Sequence, residues 1–358
     1  PGGGNGCSGR NGSRGEGKLN PKDFILSGKQ NEVLVREPGS IGGQQFVVEE
    51  CSGCDIFLLD HTAALTIDVC TDCKIFTGPC ESSVFIRDCK NCTLVLACQQ
   101  FRARDCSGCT VFLFSGTQPV IESSVDLRFA CYTLDYFSLA GQFAAARLSV
   151  WNNKWSEIYN FTGGHGDWSC LPPGSHHRDF AATKLPEAAR QRVGYTDITN
   201  GAVVPLTAGI RDLIAEEESC FIVVMPGHVD AVLGKLLSVG GGGGSPTVGT
   251  SRLVRTKLFR PQTAQSKPFF KGTSAAMASI ASSSPVLGMQ WAGRGSADAA
   301  ISLIEVSGIT ASKVPGESGK GKRKPGGIGT SEYYMADGSE ESAAKAKVFF
   351  EQWEEDKG

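Results

Sequence analysis

The sequence predicts a mixed architecture: a right-handed parallel β-helix, followed by an α/β domain of ferredoxin-like order. Two observations carry the first half. Four C-x-x-C pairs, Cys51/Cys54, Cys70/Cys73, Cys89/Cys92 and Cys106/Cys109, recur at intervals of 19, 19 and 17 residues. The same apolar columns repeat around each pair. A third observation, a succession of alternating and helical segments after residue 219, carries the second half.

The columns are read with the first Cys of each pair as origin. Five residues before it stand Phe46, Leu65, Val84 and Phe101, and three before it Val48, Ile67, Ile86 and Ala103. Two before it stand Glu49, Asp68, Arg87 and Arg104, all charged, and five after it Ile56, Ile75, Leu94 and Val111. Period-two alternation marks a strand, with the odd positions before the Cys turned inward. A coil of 17–19 residues cannot bury its apolar face alone, so coils must stack. The expectation is a solenoid from about Glu32 to Phe161, lined by Cys and aliphatic ladders. Tight corners are expected at Ser52-Gly53, Thr71-Asp72, Lys90-Asn91 and Ser107-Gly108.

The 14 cysteines invite two other readings. Disulfides need an oxidising compartment, and nothing in the sequence points to export. A zinc ribbon needs two C-x-x-C pairs, whereas this chain has four at even spacing. The repeat reading, with Cys as a small apolar core residue, accounts for all eight.

Composition narrows the function. The 358 residues suffice for about two domains. The 35 Lys and Arg against 37 Asp and Glu leave a net charge of −2, which argues against a generally basic nucleic-acid binder. Hydrophobic residues make up 41%, enough for packed cores, and the 45 glycines read as linker and turns. No apolar run approaches the roughly 20 residues of a membrane span, and no secretory signal is seen.

One column breaks its own pattern. Four residues before the Cys stand Val47, Thr66, Phe85 and then Arg102. This column faces outward with the charged one, so Gln100, Arg102 and Arg104 share a solvent-facing strand face. Arg104 repeats Arg87, each followed by Asp-Cys, which suits a surface ion pair or a corner. Arg102 has no Arg counterpart in the earlier coils; a solvated Arg is its plain reading.

The run Ala97-Cys98-Gln99-Gln100-Phe101-Arg102-Ala103-Arg104-Asp105-Cys106 resembles the signature strand of the tubulin-binding cofactor C domain. The wider chain resembles the retinitis pigmentosa protein 2 family within it. The matching stretches are Pro21-Lys22-Asp23-Phe24, Gly43-Gln44-Gln45-Phe46, Thr117-Gln118-Pro119-Val120-Ile121-Glu122-Ser123 and Trp151-Asn152-Asn153-Lys154-Trp155-Ser156. Together they span about residues 21–171.

The resemblance implies a GTPase-activating protein. In that family the first Arg of the Gln-Phe-Arg-x-Arg strand, here Arg102, is an arginine finger. Its partner is a small GTPase of the ADP-ribosylation-factor-like protein 3 type in the GTP state. The GTP and Mg belong to that partner, and no cofactor of the chain's own is expected. A guanidinium inserted in trans stabilises charge on the γ-phosphoryl oxygens and is worth roughly 10³–10⁵ in rate. Gln99, Gln100, Arg104 and Glu122 fall, by resemblance, on the partner or nucleotide face. Glu122 matches a family Glu that lies near the arginines; a corner carboxylate is the plain alternative. Phe161 and Trp168 are read as core residues more readily than as GTPase contacts. His61, His176 and His177 lack metal spacing and are read as surface or loop residues, and no metal site is expected.

Residues 172–218 read as a polar connector with Pro172-Pro173 and a helix near 187–192. Strands are expected at 220–225, 252–259, 285–291 and 333–335, and helices at 229–239, 296–306 and 340–353. The order βαββαβ is that of a ferredoxin-like fold. This part, 219–358, resembles a nucleoside-diphosphate-kinase-like domain through Lys267-Pro268-Phe269-Phe270, Ser284-Pro285-Val286-Leu287-Gly288-Met289-Gln290-Trp291 and Asp337-Gly338-Ser339-Glu340-Glu341-Ser342-Ala343. In true kinases of this type a His precedes that Gly-Ser and accepts phosphate; here Asp337 stands there. Met225 stands where a phosphate-binding Lys precedes Pro226. No kinase activity is expected. Residues 315–322 miss the Walker spacing and read as a basic surface loop, and 240–244 as a flexible insertion.

Residues 1–20 read as a disordered N-terminal segment. Family members begin Met-Gly-Cys and are myristoylated and palmitoylated. Here the chain begins with Pro1, so a myristoylation signal is absent as written, and Cys7 is a palmitoylation candidate. By resemblance the expected setting is the cytoplasm, at the ciliary base and the cytoplasmic face of the plasma membrane. Peripheral membrane association and a part in transport of lipidated ciliary proteins go with it. Two other functions stay open. One is a tubulin-folding cofactor that triggers GTP hydrolysis on tubulin, against which the kinase-like second half argues. The other is a non-catalytic scaffold, against which the Gln-Phe-Arg-x-Arg strand argues.

Overall fold

The computed structural model describes residues 20–164, 167–181, 184–195, 203–210, 218–239, 251–270, 275–309, 328–329, 333–337 and 339–352. Expectations for the segment before residue 20, including Cys7, and for 240–244, 315–322 and Trp353 lie outside the described residues.

The first half is a stack of parallel strands. They are β1 (Ile25–Ser27), β2 (Val33–Arg36), β3 (Phe46–Glu49), β4 (Asp55–Leu58), β5 (Leu65–Asp68), β6 (Lys74–Arg87), β7 (Thr93–Arg104), β8 (Thr110–Ser115), β9 (Val120–Glu122), β10 (Leu127–Cys131), β11 (Tyr159–Asn160) and β12 (Trp168–Cys170). One face stacks β1, β3, β5, the end of β6, the end of β7, β9 and β11. The other stacks β2, β4, the start of β6, the start of β7, β8, β10 and β12. The sequence columns are the register itself: Phe46 pairs Leu65, Leu65 pairs Val84, and Val84 pairs Phe101. The ladder runs from Ile25 to Cys170, beyond the expected Glu32 and Phe161 at both ends. Its outermost strands β1 and β12 lack the C-x-x-C mark that made the inner coils visible.

All eight cysteines of the four pairs are buried free thiols. Each first thiol donates to the carbonyl two residues back: Cys51 to Glu49 O (3.3 Å), Cys70 to Asp68 O (3.4 Å), Cys89 to Arg87 O (3.2 Å) and Cys106 to Arg104 O (3.3 Å). Each second thiol does the same, at 3.4, 3.4, 3.3 and 3.5 Å. A small apolar side chain with one weak donor therefore fills the corner and meets its carbonyl. The corners also need left-handed backbone, supplied by Asn31, Gly53, Asp72, Asn91, Gly108 and Asp126 in successive coils.

The second face is covered. Phe57, Phe76, Val95 and Phe112 alternate outward yet are fully buried. The chain after β10 packs there through α1 (Leu139–Ala145), α2 (His177–Phe180) and α3 (Glu187–Val193). His177, expected at the surface, is buried on α2 with its ring edge against Phe76 and Phe112 at 5.7 and 6.1 Å. Its Nδ1 lies 2.8 Å from Thr133 Oγ1 and its Nε2 3.2 Å from Tyr195 OH, so both polar atoms have partners inside the core. His176 caps α2, and His61 sits half-buried beside Asp60.

The second unit holds β13 (Ser219–Val224), α4 (Val229–Val239), β14 (Arg252–Phe259), α5 (Thr263–Phe269), α6 (Ala275–Ser283), β15 (Val286–Ala292), α7 (Ser296–Val306), β16 (Ile328–Gly329), β17 (Tyr333–Asp337) and α8 (Ser339–Lys347). Its antiparallel sheet has the order β14-β15-β13-β17-β16. Central β13 is apolar from Cys220 to Val224 because both its faces are buried. Cys220, Ile222 and Val224 join the core with residues of α4 and α7, and Phe221 and Val223 the core with Phe269, Phe349 and Phe350. Helices α5 and α6 were not expected; α5 carries Pro268 inside it and α6 is rich in Ala and Ser. The last helix is shorter than expected, passing at Val348–Gln352 into a π turn.

The connector is less polar than its composition suggests. Val204, Thr207 and Ala208 are buried, and Ala208 N and Gly209 N bond Leu253 O (2.8 Å) and Val254 O (3.1 Å) on the edge of β14. Among the described residues no helix is long and apolar enough to cross a membrane.

Candidate functional site

The open face of the solenoid carries one outward column in register: Ile25, Val47, Thr66, Phe85, Arg102, Val120 and Tyr159. Arg102 is the charged member of this otherwise apolar and hydroxyl-bearing row. It is exposed, and among the described residues its guanidinium has no hydrogen bond or ion pair. The strand beneath it is firm. Phe101 and Ala103 point inward and are buried, and the Phe101 ring meets Phe129 edge-on at 6.0 Å.

The neighbouring arginines are engaged. Arg87 forms a two-pronged pair with Asp68, its Nε donating to Oδ1 at 2.9 Å and its terminal nitrogen to Oδ2. Arg104 Nε lies 3.2 Å from Asp105 Oδ2, and its guanidinium stands 6.0 Å from the Phe85 ring centre. Glu122 pairs with Arg104 along the ladder and is exposed, and no ion pair forms between them. Gln100 is exposed two residues before Arg102 and pairs with Ser83. Gln99 sits at the corner: its carbonyl accepts from Thr117 N and Oγ1, both at 2.9 Å, and its side chain packs against Gly116.

Phe161, expected in the core, is 66% exposed. Its amide donates to Ile121 O at 2.8 Å and so continues the ladder of β11. Alternation then places it outward with Tyr159, which is 50% exposed and meets it edge-on at 6.4 Å. Trp168 is half-buried against Phe129, as a core residue would be. Tyr159 was missed by sequence reasoning; only its register against Val120 shows that it stands on the Arg102 row, one rung beyond Val120.

Among the described residues the geometry therefore offers an unpaired guanidinium between Phe85 and Val120, with Tyr159 one rung further along the row. A partner covering those apolar groups would exclude water from the cation and strengthen its field. Burial pushes the thiols of Cys80, Cys98 and Cys131 up. In the second unit Met225 is buried in the apolar core with Phe221 and Phe269, and Asp337 ends β17 opposite Cys220.

The family model described as tubulin binding cofactor C matches residues 43–161. Protein XRP2 of Danio rerio is 38% identical over 284 residues, covering 79% of this chain and 74% of that protein. Tubulin-specific chaperone C of Homo sapiens is 28% identical over 163 residues, 44% of this chain and 47% of that protein. The solved structure of Tubulin Binding Cofactor C from Leishmania major is 22% identical, covers 34% of this chain and 84% of that one, and has a TM-score of 0.31.

Proposed function

Because this chain belongs to the XRP2 family, we propose that it is a GTPase-activating protein acting in trans on an ADP-ribosylation-factor-like small GTPase. The observation that carries the reading is Arg102: exposed, without a partner among the described residues, and set between Phe85 and Val120 in the ladder. Its planar fork matches phosphate oxygens and stays charged when covered. The partner holds GTP and Mg; Arg102 meets the charge that develops on the γ-phosphoryl group. Gln100 lies on the same strand face as a contact to the GTPase or its nucleotide. Gln99 supports the strand from the corner, and Arg104 and Glu122 shape the rim. Tyr159 and Phe161 supply apolar docking surface.

The second unit is read as a ferredoxin-like domain related to nucleoside diphosphate kinases but without kinase activity. Asp337 replaces the phosphate-accepting His, and Met225 serves an apolar core. The expected setting is the cytoplasmic side of membranes near the ciliary base, in transport of lipidated proteins, with Cys7 as the lipidation candidate.

Single-turnover GTP hydrolysis across a panel of Arf-like GTPases tests the activity. Arg102→Ala is expected to lower the stimulated rate by roughly 10³-fold or more while the protein still folds. Equal rates for the two proteins would reject the finger. The cofactor C match keeps tubulin as a second partner. Stimulated hydrolysis on tubulin, with none on the panel, would favour it.

A further inference from the structure

Two consecutive asparagines join the solenoid to the second unit. Asn152 Oδ1 accepts from Leu258 N at 2.7 Å and its Nδ2 donates to Leu258 O at 3.2 Å, so the amide behaves as an added strand residue on β14. Asn153 repeats this on β8: Oδ1 accepts from Ser115 N at 3.0 Å and Nδ2 donates to Leu113 O at 3.2 Å. The flanking tryptophans extend the joint. Trp151 is buried with Leu253 and Trp291 of the second unit, and its carbonyl accepts from Thr256 Oγ1 at 2.7 Å. Trp155 Nε1 donates to Thr207 Oγ1 at 2.9 Å, beside the Ala208 that bonds β14. Glu157, further along the stretch, feels the charges of Arg255 and Lys257.

From this joint the chain passes directly into β11, which carries Tyr159. That strand is two residues long and, among the described residues, pairs with β9 alone. So short an edge strand has few hydrogen bonds of its own and would open readily if its approach were loose. We propose that the second unit is a brace: through Asn152 and Thr256 it fixes residues 151–161 and so presents Tyr159 and Phe161 ready-formed on the same open face as Arg102, one rung beyond Val120. Asn152 is then a positioning residue for partner docking, acting by pre-organisation and not by contact.

The binding half of this inference rests on the GTPase reading above; the structural half does not. The test uses the full chain with Asn152→Ala and Thr256→Val, followed by hydrogen exchange and by titration of the GTP-loaded GTPase under single turnover. Exchange at 157–161 is expected to quicken in both variants while 100–104 stays protected. The half-saturating concentration is expected to rise about three- to tenfold with the maximal rate unchanged, in line with one or two lost hydrogen bonds. Phe161→Ala should weaken docking similarly but leave exchange at 252–258 as in the wild type. Loosened exchange at 252–258 with 157–161 as protected as in the wild type would overturn the brace. Should Asn152→Ala fail to fold, Thr256→Val, which loses one hydrogen bond, decides alone. A wild-type chain that stimulates no GTPase would remove the proposed function, and the exchange pattern would still decide the brace.

Discussion

Val69 sits at a solenoid corner with φ of +52° and is 50% exposed. The same corner in other coils carries Gly28, Glu50, Asp88, Asp105 and Ser123, all with positive φ. A β-branched side chain is the poorest occupant of left-handed backbone, at a cost of roughly 1–2 kcal/mol. Val69→Asn relieves most of that strain. The amide of residue 69 keeps its bond to Arg87 O, 3.0 Å in the wild type, because it belongs to the backbone. Against the relief stands the loss of a half-exposed isopropyl group, about 0.5 kcal/mol once the Asn side chain refills part of the space. The net expectation is a gain of about 1 kcal/mol, or roughly 2–4 °C in Tm for a cooperative unit of this size. Urea denaturation with circular dichroism reads it as a higher midpoint at unchanged slope. Asp88→Asn, at an equivalent corner, should be near neutral. A Val69→Asn midpoint equal to or below the wild type would refute the strain argument.

Three other outcomes follow from named contacts. Asn153→Ala removes the buried partner of Ser115 N, Leu113 O and Trp155 N and should cost about 3 kcal/mol or more, seen as a lower urea midpoint. Burial holds His177 well below its ordinary pKa, so the unfolded chain takes up a proton near pH 6.5 that the folded one does not. Stability should therefore fall as pH drops below about 6.5, by up to about 1.4 kcal/mol per unit from this group. His177→Asn should flatten that slope between pH 7 and 5. Arg102→Ala, by contrast, should leave the urea midpoint within about 0.5 kcal/mol of the wild type, since the exposed guanidinium makes no hydrogen bond among the described residues.

The solenoid was legible because its physics is periodic. One coil length sets one register, and the columns through Phe46, Leu65, Val84 and Phe101 are the observed pairs. Arg102 was legible for the same reason, as the exception in a column of Val47, Thr66 and Phe85. The misses are residues whose setting depends on distant partners. Phe161 looks like core until its pairing with β9 turns it outward. His177 looks like a loop residue until Thr133 and Tyr195 close around it. Asn152 and Asn153 are polar letters beside tryptophans, and only the two strand edges they meet reveal their work. Helices α5 and α6 lack a clear apolar stripe, and Pro268 reads as a break.

Stacked strands lie about 4.8 Å apart, whatever their side chains. The row from Phe85 through Arg102 and Val120 to Tyr159 is thus a graduated scale about 14 Å long, with the cation at its second mark. Excising or duplicating a whole inner coil would slide that cation along the scale by one division while leaving its own bed intact. Reach toward a docked nucleotide is therefore set in discrete steps, by counting coils.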